Sequence, residues 1–427
     1  MGTPPPGPKG ATLGKLNAKH WRRDKYGFLS TLAETFGDIA GFDIGHSPFI
    51  LVNGAEHIRE LLFKREGSMR KPEFVKDSNR GHWGDGLTTI DGPGWSPRRR
   101  ILRPAFRASP VADRLPVVAK LAQEMLAKWR PDTDIDLTHE LRLLTARIGA
   151  RQVLNAELEG FGPGEGRSGI LPVSMAYGED FTSGPSRDEV SPLQMRRPRA
   201  PAAFTAVTKI VDRRIATGED HGDILTELTC AQPNGAKLTR EEVFGEVMQL
   251  LFAGHLTMPF CMVNFWRDLA ENKHRAKLEV EAAHFCTVDK AATANIARSY
   301  CLATLKESMR LDPPAPILYR EVDSPFELAG YEFARDTGVW VSPRLLHRDP
   351  RYYLQPECFR PERFLEQGQK NRRAGTFMPF GAGPRVCVAS QQAFLQMTLI
   401  CIQIASRFRL DPMAGASRRF KITALPD

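Results

Sequence analysis

The sequence predicts a mainly α fold with small β-sheet portions, and three observations carry that prediction. Apolar residues recur at the helical period, most clearly at Val243, Phe244, Val247, Met248, Leu250 and Leu251. Strand-like runs are short and scattered, and nothing alternates strand with helix in the βαβ manner. The chain has 427 residues, 42% hydrophobic and 26% charged, enough to bury a large core and still enclose a cofactor. A single domain over 1–427 is expected.

The amino end, Met-Gly-Thr-Pro-Pro-Pro-Gly-Pro-Lys-Gly, reads as a stiff Pro-rich arm over 1–15 and lacks the apolar core of a secretory signal. Strands are predicted at Phe42–Ile44 and Phe49–Val52, helices at Ala55–Phe63 and Pro116–Trp129. The Gly-, Ser-, Pro- and charge-rich segment 157–203 reads as mobile connections and a substrate-access region. Thr239 and Glu242 have capping-box spacing, so a long helix starts there and runs to Asn272 with Pro259 inside it. That proline should distort the helix. A second helical segment covers Ala292–Leu311, strand-like pieces follow at Pro316–Glu321 and Phe326–Phe333, and a last helix covers Ala389–Phe408.

The net charge of +9 suits an acidic partner without naming one. No apolar run reaches the roughly 18 residues of a membrane span, so no membrane anchor and a cytoplasmic location are expected. Seven cysteines without Cys-x-x-Cys spacing argue against a disulfide scaffold or structural zinc; six of them read as small core residues.

The seventh, Cys387, stands in Phe380-Gly-Ala-Gly-Pro-Arg-Val-Cys-Val-Ala389, just before the last helix. Gly381 and Gly383 permit torsions and close approach that a side chain blocks. Amides at a helix start favour a thiolate. Taken alone this is a buried thiol after a turn. The segment resembles the haem-binding loop of the cytochrome P450 family, Phe-Gly-x-Gly-x-Arg-x-Cys-x-Gly, with Ala389 in place of the last glycine. The resemblance implies Cys387 as the metal ligand of haem b, Phe380 beside the sulfur, and Arg385 on a propionate.

Three further segments resemble the family in the family's order. Glu307-Ser-Met-Arg310, an ordinary helical ion pair by itself, precedes Phe359-Arg-Pro-Glu-Arg363-Phe364; together they imply a buried structural network of Glu307, Arg310 and Arg363. Leu346-His-Arg-Asp-Pro350 is also similar to the family's run. Trp95 and Arg99, in an otherwise plain basic stretch, match a propionate-binding pair, and Arg320 matches another propionate arginine. Arg98, Arg100 and Arg103 beside them suit an acidic ferredoxin or flavodoxin on the proximal face, itself reduced through an NAD(P)H reductase. In Ala253-Gly254-His255-Leu256-Thr257, Gly254 would leave room for dioxygen and Thr257 would help deliver protons. Leu256 departs from the family's acid there; water, His255 or a substrate hydroxyl would carry protons instead.

The resemblance implies an oxidoreductase, a haem-thiolate monooxygenase placing one atom of dioxygen in a small apolar organic substrate. Secondary metabolism is the expected setting, and no nucleic acid is expected as partner. The alternatives are a haem-thiolate isomerase, dehydratase or peroxygenase, which need no timed proton from an acid, and a catalytically silent relative that binds a partner protein.

Overall fold

A computed structural model describes residues 2–157, 201–230, 237–272, 274–284, 295–365, 368, 373–415 and 418–425. The expected access region at 157–203 falls almost entirely outside them. The described chain is helical with three small sheets, as the periodicity predicts.

The Pro-rich arm ends at Gly10, five residues earlier than expected, because helix α1 (Ala11–Arg23) begins at Ala11. The arm lies along β1 (Ile39–Ile44), whose Gly41 and Asp43 amides donate to the Pro6 and Pro8 carbonyls at 2.8 and 3.3 Å. Prolines suit such an edge because they need no donor of their own. After α2 (Lys25–Phe36), β1 pairs antiparallel with β2 (Ser47–Val52). Helix α3 (Ala55–Lys64), β3 (Met69–Arg70), α4 (Glu73–Trp83) and α5 (Trp95–Leu102) follow.

Helix α6 (Ala108–Leu126) starts eight residues before the predicted Pro116. Pro116 sits inside it on an exposed position, where water can satisfy the carbonyl that the ring leaves without a donor. The chain then forms β4 (Asp134–Asp136), α7 (Leu137–Leu154), α8 (Pro201–Thr217) and α9 (Ile224–Thr229).

The long helix α10 (Arg240–Glu271) carries the predicted capping box: Thr239 Oγ1 accepts from the Glu242 amide at 3.2 Å, and Glu242 Oε2 accepts from the Thr239 amide at 2.8 Å. It continues through Pro259 to a C-cap at Asn272, so the proline does not end it. Contrary to the expectation from unbroken apolar runs, this helix is long and apolar enough to cross a membrane. Yet 67% of its apolar stretch is buried inside the molecule, against α7 and neighbouring helices.

After α11 (Arg275–Ala283), the segment predicted as one helix over 292–311 is divided. Ser299 accepts from the Leu302 amide and caps α12 (Tyr300–Leu311), leaving 295–298 in a separate piece of helix. Residues 292–294 lie outside the described set. Strand β5 (Leu318–Val322) precedes the hairpin of β6 (Phe326–Leu328) and β7 (Tyr331–Phe333), whose turn uses Ala329 and Gly330 at positive φ. Strand β8 (Gly338–Val341) and the short α13 (Pro343–Leu346) follow. The main sheet has the order β1-β2-β8-β5-β3. Helix α14 (Ser390–Ala405) ends three residues before Phe408, which opens β9 (Phe408–Pro412).

The largest core cluster unites α6, α7, α10, α12 and α14. It includes Cys261, Cys301 and Cys401, as expected of core thiols. Cys230 and Cys358 are exposed, against that expectation, because both stand in short irregular segments at the surface; Cys286 lies outside the described residues.

Candidate active site

The loop before α14 is shaped by its own backbone bonds. The Gly381 amide donates to Met378, the Val386 amide to Gly383 and the Cys387 amide to Phe380, at 3.0, 3.1 and 3.0 Å. Gly381 and Gly383 sit at φ +74 and +72. At Gly383 a Cβ would also fall 2.2 Å from the Leu62 carbonyl oxygen of α3, so glycine is required twice over. Phe380 packs edge-on against Phe394 of α14 at 4.9 Å.

Cys387 is exposed at this loop's end. Protein nevertheless surrounds it closely enough that desolvation pushes its thiol pKa up. The Ala389 amide and the Arg99 charge oppose that rise and favour the thiolate. Ala389 is the N-cap residue of α14, so the amide comes from the helix start.

Basic groups gather beside the thiol. The guanidinium groups of Arg385 and Arg99 both lie over the Trp95 ring, 4.1 and 5.5 Å from its centroid. Arg385 donates to Glu66 at 2.5 Å and stands 3.1 Å from Asp91. Among the described residues Arg320 bonds only the Tyr319 carbonyl, and burial presses its pKa down. Lys71 joins them on the same field: burial pushes it down to about 7, Asp91 opposing and Arg385 and Arg320 reinforcing. Arg385, Lys71 and Lys76 thus draw on Glu66 and Asp91, and among the described residues Arg99 and Arg320 have no carboxylate partner. A group with one metal and two carboxylates would fit: an accessible thiol for the metal, and an excess of cations for the acids. Lys71, Glu66 and Asp91 carried no motif and were not found from sequence.

The expected charge network is present in full. Arg310 grips Glu307 bidentately at 2.8 and 2.9 Å, both side chains fully buried. Glu307 also accepts from Arg363 Nε at 3.3 Å and from the Arg360 amide at 2.8 Å. Arg310 donates onward to the His347 carbonyl at 2.8 Å. The His347 ring accepts from the Met378 amide at 2.9 Å. Met378 in turn holds Gly381, so the network reaches the Cys387 loop through His347.

On α10, Thr257 Oγ1 donates to the Ala253 carbonyl at 2.8 Å. Pro259 has no N–H to offer the His255 carbonyl, so the helix lacks one regular bond here. A Cβ on Gly254 would meet Met258 Cε at 3.3 Å. His255 is not a proton carrier for this face. It is two residues from Thr257, roughly 200° around the helix, and lies buried facing Arg142 of α7. Burial, then the Arg142 charge, push its pKa down to about 3, which keeps the ring neutral. Arg98 also departs from expectation: it pairs with Glu242 at 2.7 Å and approaches Glu246 at 3.6 Å, while Arg100 and Arg103 are exposed.

The profile of the family described as Cytochrome P450 matches residues 4–159 and 203–423. The chain belongs to the cytochrome P450 family. A Streptomyces melanosporofaciens protein, cyclooctatin synthase, is 28% identical over 414 residues, covering 92% of this chain and 87% of that protein. Cyclooctat-9-en-7-ol 5-monooxygenase of the same organism is 27% identical over 408 residues, 93% and 87%. The retinoic acid-bound cyanobacterial CYP120A1 superposes with a TM-score of 0.81 at 22% identity, over 100% of both chains. The cytochrome P450DA heme domain gives 0.80 at 20%, over 99% and 96%. These two share the fold. As a cytochrome P450 the chain is a haem-dependent oxidoreductase of the monooxygenase type.

Proposed function

We propose that this cytochrome P450 is a single haem domain over 1–427 in which the Cys387 thiolate would hold the iron of haem b. Trp95, Arg99, Arg320 and Arg385 would hold its propionates. The observation that carries the reading is the accessible Cys387, at a helix start, beside basic groups that outnumber their carboxylates. When bound, the haem supplies the activation of dioxygen, with electrons delivered singly by a separate partner.

The chain's own residues do the rest. The Ala389 amide and Arg99 stabilise the thiolate. Gly254 keeps side-chain bulk off α10. Thr257, its own proton committed to Ala253, presents an oxygen that accepts one. Leu256 contributes no proton, so protons arrive by water. Exposed Arg100 and Arg103 suit an acidic ferredoxin or flavodoxin, reduced by an NAD(P)H reductase. The Streptomyces relatives, one named for an unsaturated alcohol, support an apolar secondary metabolite as substrate; the setting that goes with this reading is cytoplasmic. Phe161, Met175, Tyr177, Phe181 and Met195, apolar residues of the expected access region that would line the pocket or pack its roof, lie outside the described residues.

The test is the absorption spectrum of the dithionite-reduced, carbon monoxide-bound protein. A strongly red-shifted Soret band, lost in Cys387→Ala, is expected. A Soret of the histidine-ligated type in the wild type would sink the assignment.

A further inference from the structure

The loop between α4 and α5, Gly84–Ile90, has its backbone groups taken up by side chains from three other elements. Gln249 of α10 accepts from the Thr88 amide at 2.9 Å and donates to the Gly84 carbonyl at 3.1 Å. Glu246, one turn earlier, accepts from the Leu87 amide at 3.2 Å. Arg98 of α5 donates to the Asp85 carbonyl at 3.1 Å. From the opposite side Lys71 donates to the Leu87 and Ile90 carbonyls at 2.9 and 2.7 Å. The loop is also tight against α10, since a Cβ at Gly245 would fall 2.0 Å from the Asp85 carbonyl oxygen.

Lys71 differs from the other clamps because it faces two ways. Its ammonium holds the loop, yet it lies in the field of Arg320 and Arg385, with Asp91 at 3.8 Å and Lys76 nearby. Glu246, the other titratable clamp, faces Arg98 and feels Lys71 across the loop, while Glu242 on its own helix competes for Arg98.

We propose that Lys71 is a positioning residue that locks the Gly84–Ile90 loop onto α10 when the basic cluster holds a dicarboxylate. This rests on the propionate site proposed above. Burial against the loop disfavours the charged ammonium, so near neutral pH closure must either strip a proton from Lys71 or bury an under-compensated cation. Two propionates on the cluster compensate that charge, and the loop closes without the cost. The sign follows from linkage. A lysine with a depressed pKa in the closed loop weakens closure as pH falls from about 10.5 towards about 7, and a bound dianion removes that weakening.

The experiment is amide hydrogen exchange of Leu87, Thr88 and Ile90, as protection factors corrected for intrinsic rates, at pH 7 and 9.5. The protein is loaded either with protohaem or with protohaem dimethyl ester, which lacks the two negative charges. With protohaem the loop should be equally protected at both pH values. With the diester, protection at pH 7 should fall about tenfold or more, a factor of ten for each pKa unit regained, and recover by pH 9.5. Lys71→Met should make the two haems equivalent. Equal protection by both haems in the wild type overturns the inference even if the variant does not fold. A protohaem- and diester-dependent difference that survives in Lys71→Met also overturns it. Absence of a Soret band in the loaded wild type is a separate failure, that of the haem site itself, and takes the inference with it.

Discussion

The Met378 amide donates to Nε2 of His347 at 2.9 Å, while the same histidine's carbonyl accepts from Arg310 at 2.8 Å. His347 is fully buried, and it joins the ion pair on α12 to the loop that presents Cys387. Replacing it by Phe keeps the bulk and leaves the Met378 amide buried without an acceptor. A loss of about 1–3 kcal/mol is expected, read as a lower urea midpoint together with weaker haem retention. An unchanged midpoint would argue that the link carries no load.

Removing one partner of the Glu307–Arg310 pair should be worse. Both groups are fully buried, and Glu307→Ala strands a guanidinium charge. A cost of about 3–5 kcal/mol is expected. The variant should accumulate as haem-free protein, measured as the ratio of Soret to protein absorbance. Near-normal haem content would contradict the network's structural role.

Leu256 occupies the position where the family carries an acid. Leu256→Glu should introduce a proton donor one residue from Thr257 and raise the fraction of reductant consumed that appears as oxidised product. The measurement is product formed per NAD(P)H oxidised, with peroxide assayed alongside. No change, or more peroxide, would mean that water already delivers protons adequately on this face.

Asp268 on α10 is buried, accepts from Ser308 at 2.6 Å, and has its pKa pushed up to about 7, mainly by burial. An acid with a raised folded pKa stabilises the fold below its unfolded value, near 4, and that contribution is lost as pH rises towards 7. Wild-type stability should therefore drop across that window by at most about 4 kcal/mol. Asp268→Asn should flatten the dependence, followed by urea melts at pH 4.5, 6 and 7.5. An equal slope in both proteins would assign the dependence elsewhere.

Arg100 and Arg103 are exposed, whereas Arg98 is committed to Glu242. Reversing both exposed charges to Glu should slow electron transfer from an acidic ferredoxin and reduce its ionic-strength dependence. Stopped-flow reduction at two salt concentrations tests this. A rate unchanged in the double variant would move the docking face elsewhere.

Much of the fold was legible because its signals are local. The capping box at Thr239 and Glu242, the apolar period of α10 and the turn glycines all act within a few residues. The misjudged boundaries had a local competitor too weak to read: Ser299 captures the Leu302 amide and divides a segment whose periodicity looked continuous. The site was legible only through motifs. Lys71, Glu66 and Asp91 belong to none, and they meet Arg385 across more than 290 residues of sequence.

By itself the sequence determined the helical class, the family and the glycine-shaped loop that presents Cys387, since a loop of that kind before a helix is encoded by adjacent residues. Tertiary structure alone decided which charges are free to act. Arg98 and Arg100 are two residues apart and chemically identical, yet one is held by α10 and the other faces solvent. His255 and Thr257 are equally close, and the helix turns one towards Arg142 and burial while the other stays on the opposite side. Burial and partner charges, which set protonation and availability, arise only when distant segments pack, and no short stretch of sequence contains them.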